Sequence, residues 1–406
     1  MNNSSIYKGE DKVNAGNNIF VNGPVNAIRM EGEIDGIKKI LYLFADIHMD
    51  INNQTECDSI RSLELKDYFL KNFDGLDENE MVDLFVEIKP EEFAAKKQIY
   101  REPYAINLKY FFKKCFNYDE EKNKVYTSTI LPNVRFHYMD IRNLIFNTNE
   151  NLRLHQIFDY YISLKLTPDV NECDELLKIL LKALDNLNNI YELLYIKNKD
   201  NKKEEKNVFK IYYDFDIYVA ENILKKTHEA NSKYVKNILN NIKNTHIRSI
   251  LIKSLSSLKK NIDLIALYKK EYFDNSILPL SQQMKNIDIQ TKIYKELYYF
   301  CEVNGHAGIL LTDMYFLRRY LDKKYITTGI IYSGIQHTLN CVFLLIKYFN
   351  FKMTNVSFCN EKIETVTNRI KNTEEDFDIM ELYKYFIEPG MIYQCSNLSG
   401  FPENFK

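Results

Sequence analysis

No glycine occurs between Gly75 and Gly305, and no proline between Pro168 and Pro279. These two residues punctuate turns, and a sheet-rich stretch of that length would need many of them. A run this long without either is expected to be helical. The local pattern agrees. In 174–197 Leu177, Leu180, Leu181, Leu184, Leu187, Tyr191 and Leu194 recur at helical spacing. The charged run that follows, KNKDNKKEEKN, reads as a solvated loop or a frayed helix end. Residues 151–303 are therefore expected to form an all-helical insertion.

The flanking regions carry a different signal. The stretches 38–45 (KKILYLFA), 82–88 (VDLFVEI), 133–139 (NVRFHYM) and 328–334 (TGIIYSG) are short and rich in aromatic and β-branched residues. Two of them are near-continuous apolar runs, which mark strands buried on both faces. A further strand is expected at 354–359. Helices are expected at 58–73, 104–116, 308–322 and 337–349. Alternation of this kind implies an α/β fold with a central, largely parallel sheet flanked by helices. The expected layout is a polar N-terminal tail (1–24), a first part of the α/β domain (25–150), the helical insertion (151–303) and a second part (304–406).

Charge and cysteine content narrow the class. The formal net charge of −2 gives no general attraction to nucleic acid or to an anionic membrane. No apolar run approaches the roughly 18 residues that span a bilayer, and the polar N-terminus does not read as a signal peptide. Seven scattered cysteines without a CxxC pair suggest neither a disulfide framework nor structural zinc. The expectation is an intracellular protein that engages neither nucleic acid nor membrane.

The four strands share a feature that points to function: each ends in polar residues. The first runs into Asp46-Ile47-His48 and the second reaches Glu87. The third ends at Asp140-Ile141-Arg142, and the fourth leads through Gly334 to His337. Ligands of open parallel sheets bind beyond the carboxyl ends of the strands. If the chain stays extended past Ala45, Asp46, His48 and Asp50 share one side. A D-x-H pair can chelate a divalent metal, or the acid can orient a catalytic histidine; the plainer reading is a solvated strand end. His337 opens an apolar helix, whose positive end favours the neutral imidazole that ligates metal or acts as a base. The plainer reading there is a helix-capping histidine. Glu87 is either a strand's first exposed residue or a site carboxylate. Asp140 and Arg142 can pair with each other or hold an anionic or carbonyl-bearing substrate. Asp313 and Arg319, on TDMYFLRRYLD, are ordinary helix charges or further substrate contacts.

Taken together, Ala45-Asp46-Ile47-His48 and Gly334-Ile335-Gln336-His337 resemble the paired GxxH-type motifs of the TraB/Tiki and erythromycin-esterase/ChaN-like superfamily. Glu87 is similar in placement to the strand-end glutamate between them. The first motif departs from the pattern, with alanine for the usual glycine and Asp46 where many members carry glutamate. Residues 312–351 also resemble uncharacterised proteins of large DNA viruses. There a D-x-Y-x-L-x-R helix (Asp313, Tyr315, Leu317, Arg319) precedes a YxGxxH strand-turn (Tyr332, Gly334, His337), and Cys57 follows FADIH in the N-terminal part of the same pattern. The resemblance implies an α/β fold with both histidines at one site; it does not imply one chemistry, since relatives include metal-dependent peptidases, esterases and ligand-binding proteins.

Two functions are carried forward. One is a hydrolase of an ester or peptide-like substrate, with His48, His337, Glu87 and Asp46 catalytic or holding a divalent metal. Arg142, Arg319, Asp140 and Asp313 would then contact a small-molecule or peptide substrate. The other is a catalytically silent viral structural protein, or one that meets a host protein through the helical insertion. Either would sit in the host cytoplasm or the virion if the chain is viral.

Overall fold

In the computed structural model, the described residues are 19–48, 57–88, 128–140, 312–373, 379–388 and 394–406, with 309–310 and short pieces between 108 and 126. Strands β1 (Phe20–Asn22), β2 (Asn26–Ile34), β3 (Ile37–Asp46) and β4 (Leu63–Glu64) lead into helix α1 (Leu65–Asp74). Then come β5 (Val82–Val86), β6 (Tyr118–Asp119), β7 (Lys124–Val125) and β8 (Val134–Tyr138). The C-terminal part supplies helix α2 (312–322), β9 (Thr328–Gly334), α3 (Ile335–Phe349), β10 (Lys352–Val356), α4 (Ile363–Asn372), α5 (Tyr383–Phe386) and β11 (Cys395–Asn397). The expected helical block at 151–303 lies outside the described residues.

Six strands form the main sheet in the order β10-β2-β3-β9-β5-β8. β3, β9, β5 and β8 are mutually parallel, whereas β2 runs against both its neighbours. The result is a mixed, mostly parallel α/β sheet. β9 lies between β3 and β5, so the two distant parts of the sequence complete one sheet.

Helices cover both faces. Leu65, Tyr68, Phe69 and Phe73 make the buried stripe of α1, and Phe69 meets Phe44 of β3 edge-on at 5.0 Å. On the other face Phe316 of α2 packs edge-on against Phe85 of β5 at 4.9 Å. Lys39 of β3 is buried there too. Its ammonium donates to the carbonyls of Tyr320, Lys323 and Ile326, capping the end of α2. Burial pulls its pKa down to about 8, opposed by Asp83, Asp322 and Asp35.

Several expectations change. Residues 20–22, inside the stretch expected as a polar tail, form β1, which pairs with β11 and β4 in a small three-stranded sheet. The helix expected from 58 starts at Leu65, and the strand expected at 354–359 spans 352–356. β2 is a strand outside those expected. It forms a hairpin with β3 through Asp35-Gly36, whose φ values of 52° and 78° match a two-residue turn with both residues left-handed. Cys57 and Cys395, 338 residues apart, form a disulfide. Seven scattered cysteines gave no spacing signal for it because the partners meet only through the β11-β1-β4 sheet.

Candidate functional site

Strand register sets the site. Asp46 lies opposite Gly334 across β3 and β9, and the Glu87 amide donates to the Tyr332 carbonyl at 3.0 Å. The carboxyl ends of β3, β9 and β5 are therefore level, with β9 in the middle. Strand alternation sends Asp46 to the α1 face and Glu87 to the α2–α3 face.

The chain does not stay extended after β3, as the D-x-H reading required. The Asp46 carboxylate instead accepts the His48 amide at 3.1 Å, a turn of the kind Asp favours, and His48 takes a φ of 53°. This folds the imidazole back over the end of β9. Its Nδ1 lies 3.4 Å from Asp46 Oδ2 and its Nε2 3.4 Å from Glu87 Oε2. Asp50 lies outside the described residues.

Gly334 makes that crossing sterically possible. A Cβ there would sit 2.9 Å from His48 Nε2 and 3.4 Å from Glu87 Oε2. Its φ of −55° is open to any residue, so the glycine supplies room rather than a special turn. Its amide donates to Glu87 Oε2 at 2.7 Å.

Behind Glu87 lies His337 in the first turn of α3, only 3% exposed. Its Nε2 is 3.2 Å from Glu87 Oε1 and its Nδ1 2.6 Å from Asp313 Oδ1. Asp313, on α2, is fully buried and accepts a second bond from Asn340 at 2.5 Å. Burial alone would depress His337, but Glu87 and Asp313 on its two nitrogens carry it up to about 10. Burial also raises the Asp313 carboxyl, against His337 and Asn340. We assign the shared proton to the imidazole because a second carboxylate, Glu87, faces its other nitrogen. The helix end does not keep His337 neutral as expected: two adjacent carboxylates outweigh the dipole.

Asp46 is anchored from the other side. Tyr332 donates to Oδ2 at 2.6 Å and Gln394 to Oδ1 at 2.8 Å. Burial would raise this carboxyl, but His48, Tyr332 and Gln394 hold it below its ordinary value.

The structure thus joins His48, Glu87, His337, Asp46 and Asp313 in one chain of contacts across the sheet edge. Asp313 is not a surface charge but the buried partner of His337. Arg319 is elsewhere. Six residues along α2, roughly 9 Å by helical rise, it donates to Tyr315 and lies 3.1 Å from His137 Nδ1. His137 Nε2 meets Asp83 at 2.7 Å and Arg135 holds the same carboxylate. Burial pulls His137 down to about 4, so it is neutral there. Asp140 is buried at the end of β8, its amide donating to the Ile88 carbonyl. Arg142 lies outside the described residues. Tyr332 stood in the YxGxxH pattern without an assigned role, and it is the donor to Asp46; Asn340 and Gln394 belong to the site but lacked a sequence signal. Only an asparagine one helical turn after His337 hints at a shared partner.

Among the described residues no group of three or more His, Cys, Asp or Glu side chains is placed to hold a metal ion. Both His337 nitrogens face carboxylates, and both Asp46 oxygens accept hydrogen bonds. These donors do not fit a metal shell as they stand.

Fold and site together define an α/β protein with paired histidines and carboxylates at the carboxyl edge of a mostly parallel sheet. The chain belongs to a family of unknown function, DUF5847, whose model matches residues 19–406. Its relatives include two proteins of a large DNA virus, Acanthamoeba polyphaga mimivirus. "Uncharacterized protein R706" is 31% identical over 96% of this chain and 98% of its own length. "Uncharacterized protein R161" is 31% identical over 96% and 99%. No solved structure matches. No helix among the described residues is long and apolar enough to cross a membrane.

Proposed function

We propose that the protein is a hydrolase of ester or peptide-like substrates, working by proton transfer through His48. The observation that carries this is the contact series Asp313–His337–Glu87–His48, which begins in the core and ends at a histidine whose side chain is 35% exposed. Asp46, Asp313 and His337 are nearly inaccessible, so His48 is the group that meets substrate.

The roles follow from placement. His48 takes a proton from an attacking water and returns it to the leaving group. Asp46 and Glu87 flank the ring and stabilise its protonated form. His337, held as an imidazolium between two acids, offsets the charge of Glu87 and fixes its orientation, while Asp313 is a positioning residue. The convergence of the two GxxH-type segments supports the resemblance to the TraB/Tiki and erythromycin-esterase/ChaN-like group. A divalent metal, the other reading of the D-x-H pair, has weaker support because its prospective ligands already face one another.

The alternative is a catalytically silent interaction protein, favoured by the deep burial of three of the five residues. One experiment separates the readings: hydrolysis of a panel of activated esters and fluorogenic peptides by wild type and His48→Gln, with metal content measured on protein purified without chelator. Turnover present in wild type and lost in the variant supports the hydrolase. Equal background in both supports the silent protein, and bound metal absent from the variant would restore the metal reading.

A further inference from the structure

Gln394 has no part in the sequence pattern, yet it reaches the site from the far end of the chain. It is fully buried, and its Nε2 donates to Asp46 Oδ1 at 2.8 Å. Its Oε1 is buried without a hydrogen-bond partner, so the side chain is held for the bond it gives to Asp46. The next residue is Cys395, disulfide-bonded to Cys57. Around this point the main chain is tied to the N-terminal strand. The Gly23 amide donates to the Gln394 carbonyl at 2.9 Å. Cys395 lies opposite Asn22, whose side chain accepts the Cys57 amide at 2.9 Å.

We propose that Gln394 is a positioning residue for the Asp46–His48 turn and that the Cys57–Cys395 disulfide locks it there, making the site sensitive to thiol redox state. Four observations carry this. β11 is only three residues long, so its ladder is a weak tether by itself. The covalent link sits one residue from Gln394. Asp46 Oδ1 is shared between Gln394 and the His48 amide. His48 keeps a left-handed backbone, which persists only where its surroundings enforce it. Reduction by a dithiol is a two-electron exchange: the Cys57–Cys395 S–S bond breaks, both sulfurs gain a proton, and the reductant closes its own disulfide. Gln394 then loses its anchor, Asp46 loses a donor, and the His48 turn opens. The inference concerns the same residues as the proposed hydrolase but needs no activity to be tested.

Hydrogen exchange of the His48 amide reads the turn directly. In the oxidised protein this amide should be protected. Reduction should lower its protection at least tenfold, together with that of Gly23, while amides in the centres of β3 and β9 keep theirs. Gln394→Leu, with the disulfide intact, should give the same loss at His48 but not at Gly23, and reduction should add little more at His48. A purely structural disulfide would lower protection by one common factor at all these amides. That result, or a His48 amide unchanged in Gln394→Leu, would overturn the proposal whether or not the protein hydrolyses anything.

Discussion

At the scale of single residues the site depends on one missing side chain. The Gly334 backbone suits alanine, but an alanine Cβ would press on His48 Nε2 at 2.9 Å. Gly334→Ala should therefore change stability by no more than about 1 kcal/mol, while moving His48 off Glu87. Turnover should fall at least about tenfold, since small misplacements of reacting groups are costly. Denaturant midpoints and hydrolysis rates on one preparation check both halves. His337 gives a second prediction, on pH. Its pKa is about 10 in the folded protein against 6.5 for the free side chain. The raised value means its stabilisation is whole below about pH 6.5 and is lost as pH rises through about 10. His337→Gln should cost about 3–5 kcal/mol near neutrality, the usual range for breaking a buried ion pair. Unfolding curves from pH 6 to 10 should show that gap closing; a constant gap would mean that His337 is not charged.

At the scale of elements, the β2–β3 hairpin rests on Gly36, whose φ of 78° no L-residue adopts easily. Nothing crowds a Cβ there, so Gly36→Ala should cost about 1–2 kcal/mol from backbone strain alone. Urea denaturation of the variant measures it. This turn also shows what the sequence could tell. Asp-Gly between alternating residues was a readable hairpin signal, yet β2 carries Arg29, Glu31 and Glu33 and does not read as an apolar run. β3, β5 and β9 were legible because burial on both faces leaves them mostly apolar, whereas β8, VRFHY, alternates buried and half-buried residues and was legible from its aromatic and β-branched content. The polar ends of the three apolar strands were legible for the same reason: Asp46, Glu87 and His337 stand out where the apolar runs stop. Asp313 was singled out, but its pairing with His337 was not legible, because an acid on a helix looks alike whether it faces water or a buried imidazole. Gln394 and the disulfide were beyond reach, since their partners lie more than three hundred residues away and only the small sheet brings them together.

At the scale of the whole molecule, β9 links the two ends of the sequence and sits at the centre of the site. Its neighbours β3 and β5 deliver one carboxylate to each face of the sheet, and His48 crosses the gap between them. The arrangement explains why Asp46-Ile47-His48 and Gly334-Ile335-Gln336-His337 stand at opposite ends of the chain yet meet. It also places a charged, buried network directly behind one accessible imidazole, which a merely structural ion cluster does not require. Whether that imidazole transfers protons is read from the hydrolysis of activated esters and fluorogenic peptides by wild type, His48→Gln and Glu87→Gln. Wild type should turn over substrates in the panel, and the rate should fall about 10²–10⁴-fold in His48→Gln, the range of general acid–base catalysis, with the fold intact by circular dichroism. Wild-type rates no higher than those of His48→Gln across the panel would contradict proton transfer by His48.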